Sequence, residues 1–158
     1  MPKTKRKTLT RRGSVGKAIV AGVKDRETNG VTASPVAATD SPALQGFVQE
    51  HTELGAKVYT DDASAYRDMP GFDHESVNHN AGEYVRNMAH ANGIESFWAM
   101  LKRDYQGTCH HFSVKHLPLY VNEFAGRRNV RDADTIDQMA SVVTGLVGKR
   151  LMYRDLVA

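Results

Sequence analysis

Four groups of residues in this chain carry side chains suited to chemistry. The run KVYTDD (57–62) ends on two carboxylates, Asp61 and Asp62. The stretch HANGIESFWAMLKRDYQG (90–107) sets Glu95 seven residues ahead of Lys102. CHHF (109–112) with His116 gathers one thiol and three imidazoles. Lys and Arg crowd the first seventeen residues.

The carboxylates suggest a hard cation. Mg²⁺ prefers carboxylate oxygens and keeps several waters. Two such ions, roughly 3.5–4 Å apart, can activate a water or a 3′ hydroxyl and steady the leaving oxygen in phosphoryl transfer. Asp61 and Asp62 are neighbours on a strand end, so at most one of them faces a given site. Glu95 and Lys102 are nearly two helical turns apart and point the same way. Taken singly, each acid also reads as an ordinary surface residue: a turn after a strand, or the solvated face of a helix. The thiol and imidazoles offer zinc donors, but their spacing fits no common zinc template. Structural or phosphate-contacting histidines fit that cluster better.

The elements that position these groups follow from periodicity. KAIVAGVKD (17–25) and GVTASPVAATD (30–40) flank the turn signal ETNG and read as an antiparallel hairpin. Pro35 puts the second strand at an edge or a bulge. Ser41 as N-cap and Pro42 as N1 start a helix with the apolar face Leu44, Phe47 and Val48, ended by Gly55. KVYTD is the next strand. SAYRDM (64–69) reads as one or two helical turns, and HESVNHN (74–80) as a short strand. Ile94, Phe97, Trp98 and Leu101 draw the apolar stripe of a helix over 93–105, stopped by Gly107. A second helix runs from Ser113 to about Arg127 on Leu117, Tyr120, Val121 and Phe124. A third begins near Asp134 and carries Ile136, Met139, Val143, Leu146 and Val147. Phe97, Trp98, Tyr120 and Phe124 read as core, and Tyr66 and Tyr84 as core more readily than as base-stacking residues.

The chain has 158 residues, 41% apolar and 25% charged, which suits one globular domain with a real core. No apolar run approaches the roughly 18 residues of a membrane span, and the N-terminus lacks the apolar stretch of a secretory signal. The single Cys109 excludes an internal disulfide and makes a reducing cytoplasm the expected compartment. The net charge of +3 conceals an asymmetry. Residues 1–17 hold seven Lys or Arg and no acid; the remaining fourteen face eighteen Asp or Glu. Residues 1–15 therefore read as a basic, disordered arm, either a solvated tail or a contact to nucleic-acid phosphates. RRGSVGKA is not a phosphate loop, because the G-x-x-x-x-G-K-[ST] spacing fails and Ala18 replaces the hydroxyl.

The order VYTDDASAY, HESVNHNAGEYV, HANGIESFWAMLKRDYQGTCHHFSVKHLPLYVNEFAGRRN resembles the C-terminal part of insertion-sequence transposases of the DDE type, in the ISXO-like branch. The upstream VGKAIVAGVKDRETNGVTASPVAATD resembles it too, so the likeness covers roughly residues 12–130. It implies an α/β, ribonuclease-H-like fold: a mixed sheet flanked by helices. It implies Mg²⁺- or Mn²⁺-dependent DNA cleavage and strand transfer during transposition. Asp61 corresponds to the second acidic position. The third ligand is Glu95 or Asn92, both motif residues. Lys102 matches the basic residue seven positions later, and Arg103, Lys115, Arg127 and Arg128 are further candidate DNA contacts. Asp62 falls where the family varies, and Ala91 stands where a Thr is usual.

One departure matters. The family's first catalytic Asp lies on the first strand of the sheet, and this sequence has no Asp or Glu before Asp25, which sits in the hairpin segment instead. The expectation is a truncated catalytic domain over 16–130, lacking its first strand, followed by a C-terminal helix at 131–158. Its expected partners are DNA, both terminal inverted repeats and target, with a homo-oligomer or an intact transposase, and no membrane. The alternatives are a non-catalytic DNA-binding remnant that modulates an intact transposase, and a fragment without a stable fold.

Overall fold

The computed structural model describes residues 17–77, 92–150 and 152–157. Strands β1 (Ile19–Lys24) and β2 (Val31–Val36) form the expected antiparallel hairpin, with Ile19 opposite Val36 and Lys24 opposite Val31. The turn between them is built by Asp25. Its carboxylate accepts from Glu27 N at 2.9 Å and from Thr28 Oγ1 at 2.5 Å. Pro35 lies inside β2 opposite Val20. Helix α1 (Ser41–His51) follows, then β3 (Lys57–Asp61), one 3₁₀ turn (Ser64–Tyr66) and β4 (Asp73–Val77). Strands β3 and β4 pair in parallel, Asp61 opposite Val77. Helices α2 (Asn92–Asp104), α3 (Leu117–Val130), α4 (Thr135–Leu146) and the short α5 (Tyr153–Val157) complete the chain.

Alternation along the hairpin makes both of its faces apolar, and each face is covered by helix. Val31 and Ala33 pack with Phe97 and Leu101 of α2 and with Leu117, Val121 and Ala125 of α3; Val20, Ile94, Trp98 and Phe124 close the edges of this cluster. Ala21 and Val23, on the opposite face of β1, pack with Leu44 and Phe47 of α1 and with Ala65 and Tyr66. Gly22 is where α2 crosses β1. A Cβ there would lie 2.9 Å from Trp98 Cζ2 and 3.4 Å from the Ala33 Cβ, so only glycine leaves room for the indole.

Helices on both faces of a mixed α/β chain agree with the expected class. Among the described residues, however, the strands form two separate pairs, one antiparallel and one parallel, rather than one mixed sheet. Arg26, at the hairpin turn, lies 3.8 Å from the centroid of the Tyr59 ring on β3 and links the two pairs.

Several element ends differ from the sequence reading for identifiable reasons. Asp40, not Ser41, caps α1: its carboxylate accepts from Ala43 N at 3.1 Å, which moves Pro42 deeper into the first turn, where a missing N–H costs nothing. The helix ends at His51, and Gly55 (φ 83°) serves the turn beyond it. Gly107 does not stop α2. The backbone continues through one π-helical turn, Tyr105–Cys109, and reverses at His110 in the left-handed region (φ 54°). Ser113 lies ahead of α3 rather than in it: its hydroxyl accepts from His116 N at 3.3 Å, and Pro118 sits in the first turn of the helix proper. The strand expected over 74–80 is described as Asp73–Val77, and 78–80 lie outside the described residues, as do the basic arm and Tyr84.

Asn129 ties α3 to the start of β2. Its side-chain oxygen accepts from Val31 N at 2.8 Å and its amide donates to Val31 O at 2.9 Å. Val31 is only 2% exposed. Asn129→Ala therefore strands a buried donor and a buried acceptor, and is expected to cost about 1–3 kcal/mol. Urea unfolding monitored by circular dichroism checks this; an unchanged midpoint would contradict the clamp.

Candidate functional site

Asp61 is the last residue of β3, exposed, with its Oδ1 accepting from Ala63 N at 3.4 Å. The strand end is held from two sides. Thr60 Oγ1 donates to the Asp61 carbonyl at 2.8 Å and lies 2.8 Å from His74 Nε2 on β4. Gln45 of α1 donates its amide to the carbonyls of Ala65 and Arg67, both at 3.0 Å, and so pins the loop that follows the acids. Asp62 pairs loosely with Arg67 at 4.0 Å. Tyr66, half-buried beneath this loop, has its hydroxyl pKa pushed up by burial first and by the Asp61 charge second.

Glu95 lies in the first turn of α2, exposed. That turn sits over the end of β1: a Cβ on Gly93 would lie 2.9 Å from Lys24 Cδ and 3.1 Å from its Nζ. Asn92 is the first residue of the helix; its side chain lies outside the described residues. Lys102 and Arg103 occupy the last turn of α2 and are exposed. One helix thus carries Glu95 and two cations, as the spacing predicts. Lys115 precedes α3, while Arg127 and Arg128 end it. The fourteen residues of α3 span about 21 Å, so these cations do not form one patch. Arg127 is also engaged by Glu123 at 2.6 Å.

Asp61 and Glu95 both offer the oxygen ligands a hard cation takes. Among the described residues, no three His, Cys, Asp or Glu side chains come together to hold an ion. The residues described therefore do not by themselves fit a complete metal site, and no chemical step is derived through an ion. Asp25 is not a substitute, because its carboxylate is committed to the hairpin turn. Hydrogen bonds from Thr28 and then from the Glu27 backbone hold its pKa below the ordinary value.

That depression has a testable sign. A carboxyl whose folded pKa is lowered adds stability above its unfolded pKa, about 3.9, and loses that contribution as pH falls through the folded value. Asp25→Asn is expected to melt lower than the parent near neutral pH. The gap should close as pH drops below the ordinary carboxylate range. A gap independent of pH would contradict the assignment.

The thiol–imidazole cluster does not assemble as a zinc site. Cys109 donates to Asp104 Oδ2 at 3.4 Å, and burial together with that carboxylate pushes the thiol pKa up. A raised thiol pKa disfavours the thiolate a zinc ion needs. His116 is bonded to Ser113 at 2.8 Å, and His110 and His111 are exposed. Sequence reading missed two positioning residues, Gln45 and Asn129. Asn129 stands in the quoted GRRN motif, whereas nothing in the local sequence marks Gln45.

No helix among the described residues is long and apolar enough to cross a membrane. No curated protein and no solved structure matches the chain. Residues 2–129 match the ISXO2-like transposase domain, and over that span, which contains Asp61, Glu95 and every candidate basic residue, the chain belongs to that insertion-sequence transposase family.

Proposed function

We propose that this chain acts on the DNA of an insertion sequence, with Asp61 and Glu95, or Asn92 in place of Glu95, as carboxylate-site residues and with Lys102 and Arg103 on the passing phosphates. The observation that carries this reading is the transposase domain over residues 2–129. Family membership supports Mg²⁺ or Mn²⁺ as the ion of a complete site and a ribonuclease-H-like ancestry for the α/β chain. Two-ion catalysis needs more carboxylate ligands than Asp61 and Glu95 provide, so a polypeptide in which these two are the only site acids is expected to bind DNA and to cleave it weakly or not at all.

A second reading is favoured by the exposed cations Lys102, Arg103 and Lys115: a DNA-binding form that pairs with an intact transposase and modulates it. A cleavage and strand-transfer assay on terminal-repeat DNA with Mg²⁺ or Mn²⁺ tests both. DNA binding without cleavage fits the impaired domain. Inhibition of an intact enzyme by the added chain selects the modulating role. Robust cleavage that is lost in Asp61→Ala overturns the claim of impairment.

A further inference from the structure

Two surfaces of the chain stand outside the reading so far. The apolar side of α4 is uncovered, with Met139 64% and Val143 60% exposed, but nothing on it selects a partner. The corner where α2 runs on toward α3 does select one. Tyr105 extends the stripe of α2 four residues past Leu101, yet it emerges from the core and is 40% exposed. Its ring meets Phe112 edge-to-face at 5.1 Å between centroids, and Phe112 in turn stacks on Tyr120 of α3 at 4.6 Å. An edge-to-face contact occupies at most one face of the Tyr105 ring, and its exposure leaves the other to solvent. Phe112 and Tyr120 are half-buried and back the tyrosine against the core.

Charge selects the partner. Lys102, exposed, stands three residues before Tyr105, so the two side chains are neighbours on the helix surface. His110 and His111 precede Phe112, Lys115 follows it by three residues, and all three are exposed. The segment 102–116 carries three Lys or Arg against one acid, Asp104, whose Oδ2 already accepts from the Cys109 thiol. Residues 18–158 as a whole are net acidic, fourteen Lys or Arg against eighteen Asp or Glu, so this corner is a basic island that holds an open ring. Its backbone is irregular as well: Tyr105 opens the π-helical turn, and His110 adopts φ 54°. Such departures gather at functional segments.

We propose that this corner binds an unpaired DNA strand, with one base stacked on Tyr105 and the neighbouring phosphates on Lys102 and Lys115. The inference rests on DNA as the partner and names the form of DNA that this surface takes. Every base has a flat π face on which an aromatic ring stacks without regard to sequence, while cations follow the backbone. In a duplex those faces are covered by neighbouring base pairs. The ring therefore distinguishes a single strand, which cations that contact phosphates alone do not.

The test is fluorescence anisotropy of the full chain on an oligothymidylate of about 16 nucleotides, within the site size of single-strand binders, and on a duplex of the same length in the same salt. Tyr105→Ala is expected to weaken oligothymidylate binding about tenfold and to leave duplex binding unchanged. Tyr105→Phe should keep the parental affinity for both. Tyr105→Leu separates stacking from packing: it keeps an apolar side chain against Phe112 but has no π face, and should lose as much as Tyr105→Ala. Parental oligothymidylate affinity in Tyr105→Ala or Tyr105→Leu would overturn the proposal, as would equal losses on the two probes. A chain that binds the duplex but not the oligothymidylate would also overturn it, leaving the ring to a protein contact and the DNA reading intact. A chain that binds neither would overturn both.

Discussion

Phe97→Ala is expected to remove a large share of this chain's stability. Phe97 is 1% exposed and belongs to the cluster that joins β2, α2 and α3. Its ring meets Trp98 edge-on at 5.0 Å and Phe124 at 5.5 Å between centroids. Truncating a buried phenylalanine costs about 3–5 kcal/mol, because the transfer energy is lost and a cavity remains. A single domain holds only about 5–15 kcal/mol in total. Phe97→Leu keeps more of the volume and should lose visibly less. Urea titrations of the two variants check this ordering. Equal midpoints for Phe97→Ala and the parent would mean that the packing of α2 on the hairpin contributes little. The consequence reaches the candidate site, because Glu95, Lys102 and Arg103 ride on the same helix. Phe97→Ala should therefore weaken DNA binding through the loss of α2's position, without touching any phosphate.

The apolar stripe that places Phe97 was readable from spacing alone, as were the hairpin, β3 and the start of α4 near Asp134. Each depends on residues within one or two turns of each other. Element ends were less readable where two residues compete for one role. Asp40 and Ser41 can both cap a helix, and the carboxylate won, taking Ala43 N. Glycine usually supplies the left-handed exit from a helix, yet at the end of α2 His110 adopts it and Gly107 stays within the π-helical turn. The least readable features join distant parts of the chain. The Asn129 clamp on Val31 spans 98 residues, and no local pattern announces it. The pairing of β3 with β4 likewise depends on where the strands meet, not on what either contains.

The candidate site divides in the same way. That Glu95 and Lys102 share a helix was fixed by their separation. That Asp61 closes a strand was fixed by the apolar run before it. Whether the two acids serve one ion depends on the relation between β3 and the start of α2, which periodicity does not encode. The apolar pattern of α4 was equally plain in sequence. Its exposure was not, because a helical stripe shows only that some surface must cover it.

DNA affinity is expected to fall steeply and log-linearly with salt, with little dependence on sequence. Six cations, Lys3, Lys5, Arg6, Lys7, Arg11 and Arg12, stand in the first twelve residues with no acid among them; Lys102 and Arg103 add two from α2. A protein making about 6–10 phosphate contacts loses roughly 10³–10⁵ in affinity between about 50 and 200 mM salt, because each contact releases condensed counterions. Replacing the six arm cations by Gln should flatten the log–log slope by about 0.9 for every contact removed. Lys102→Gln with Arg103→Gln should flatten it by no more than about two such steps. Arg127→Gln should change it least, since Glu123 already holds that guanidinium. Fluorescence anisotropy on duplexes of unrelated sequence gives all four slopes. An arm variant with the parental slope would assign the phosphate contacts to the folded residues instead, and a flat parental profile would remove the electrostatic basis for DNA as the partner.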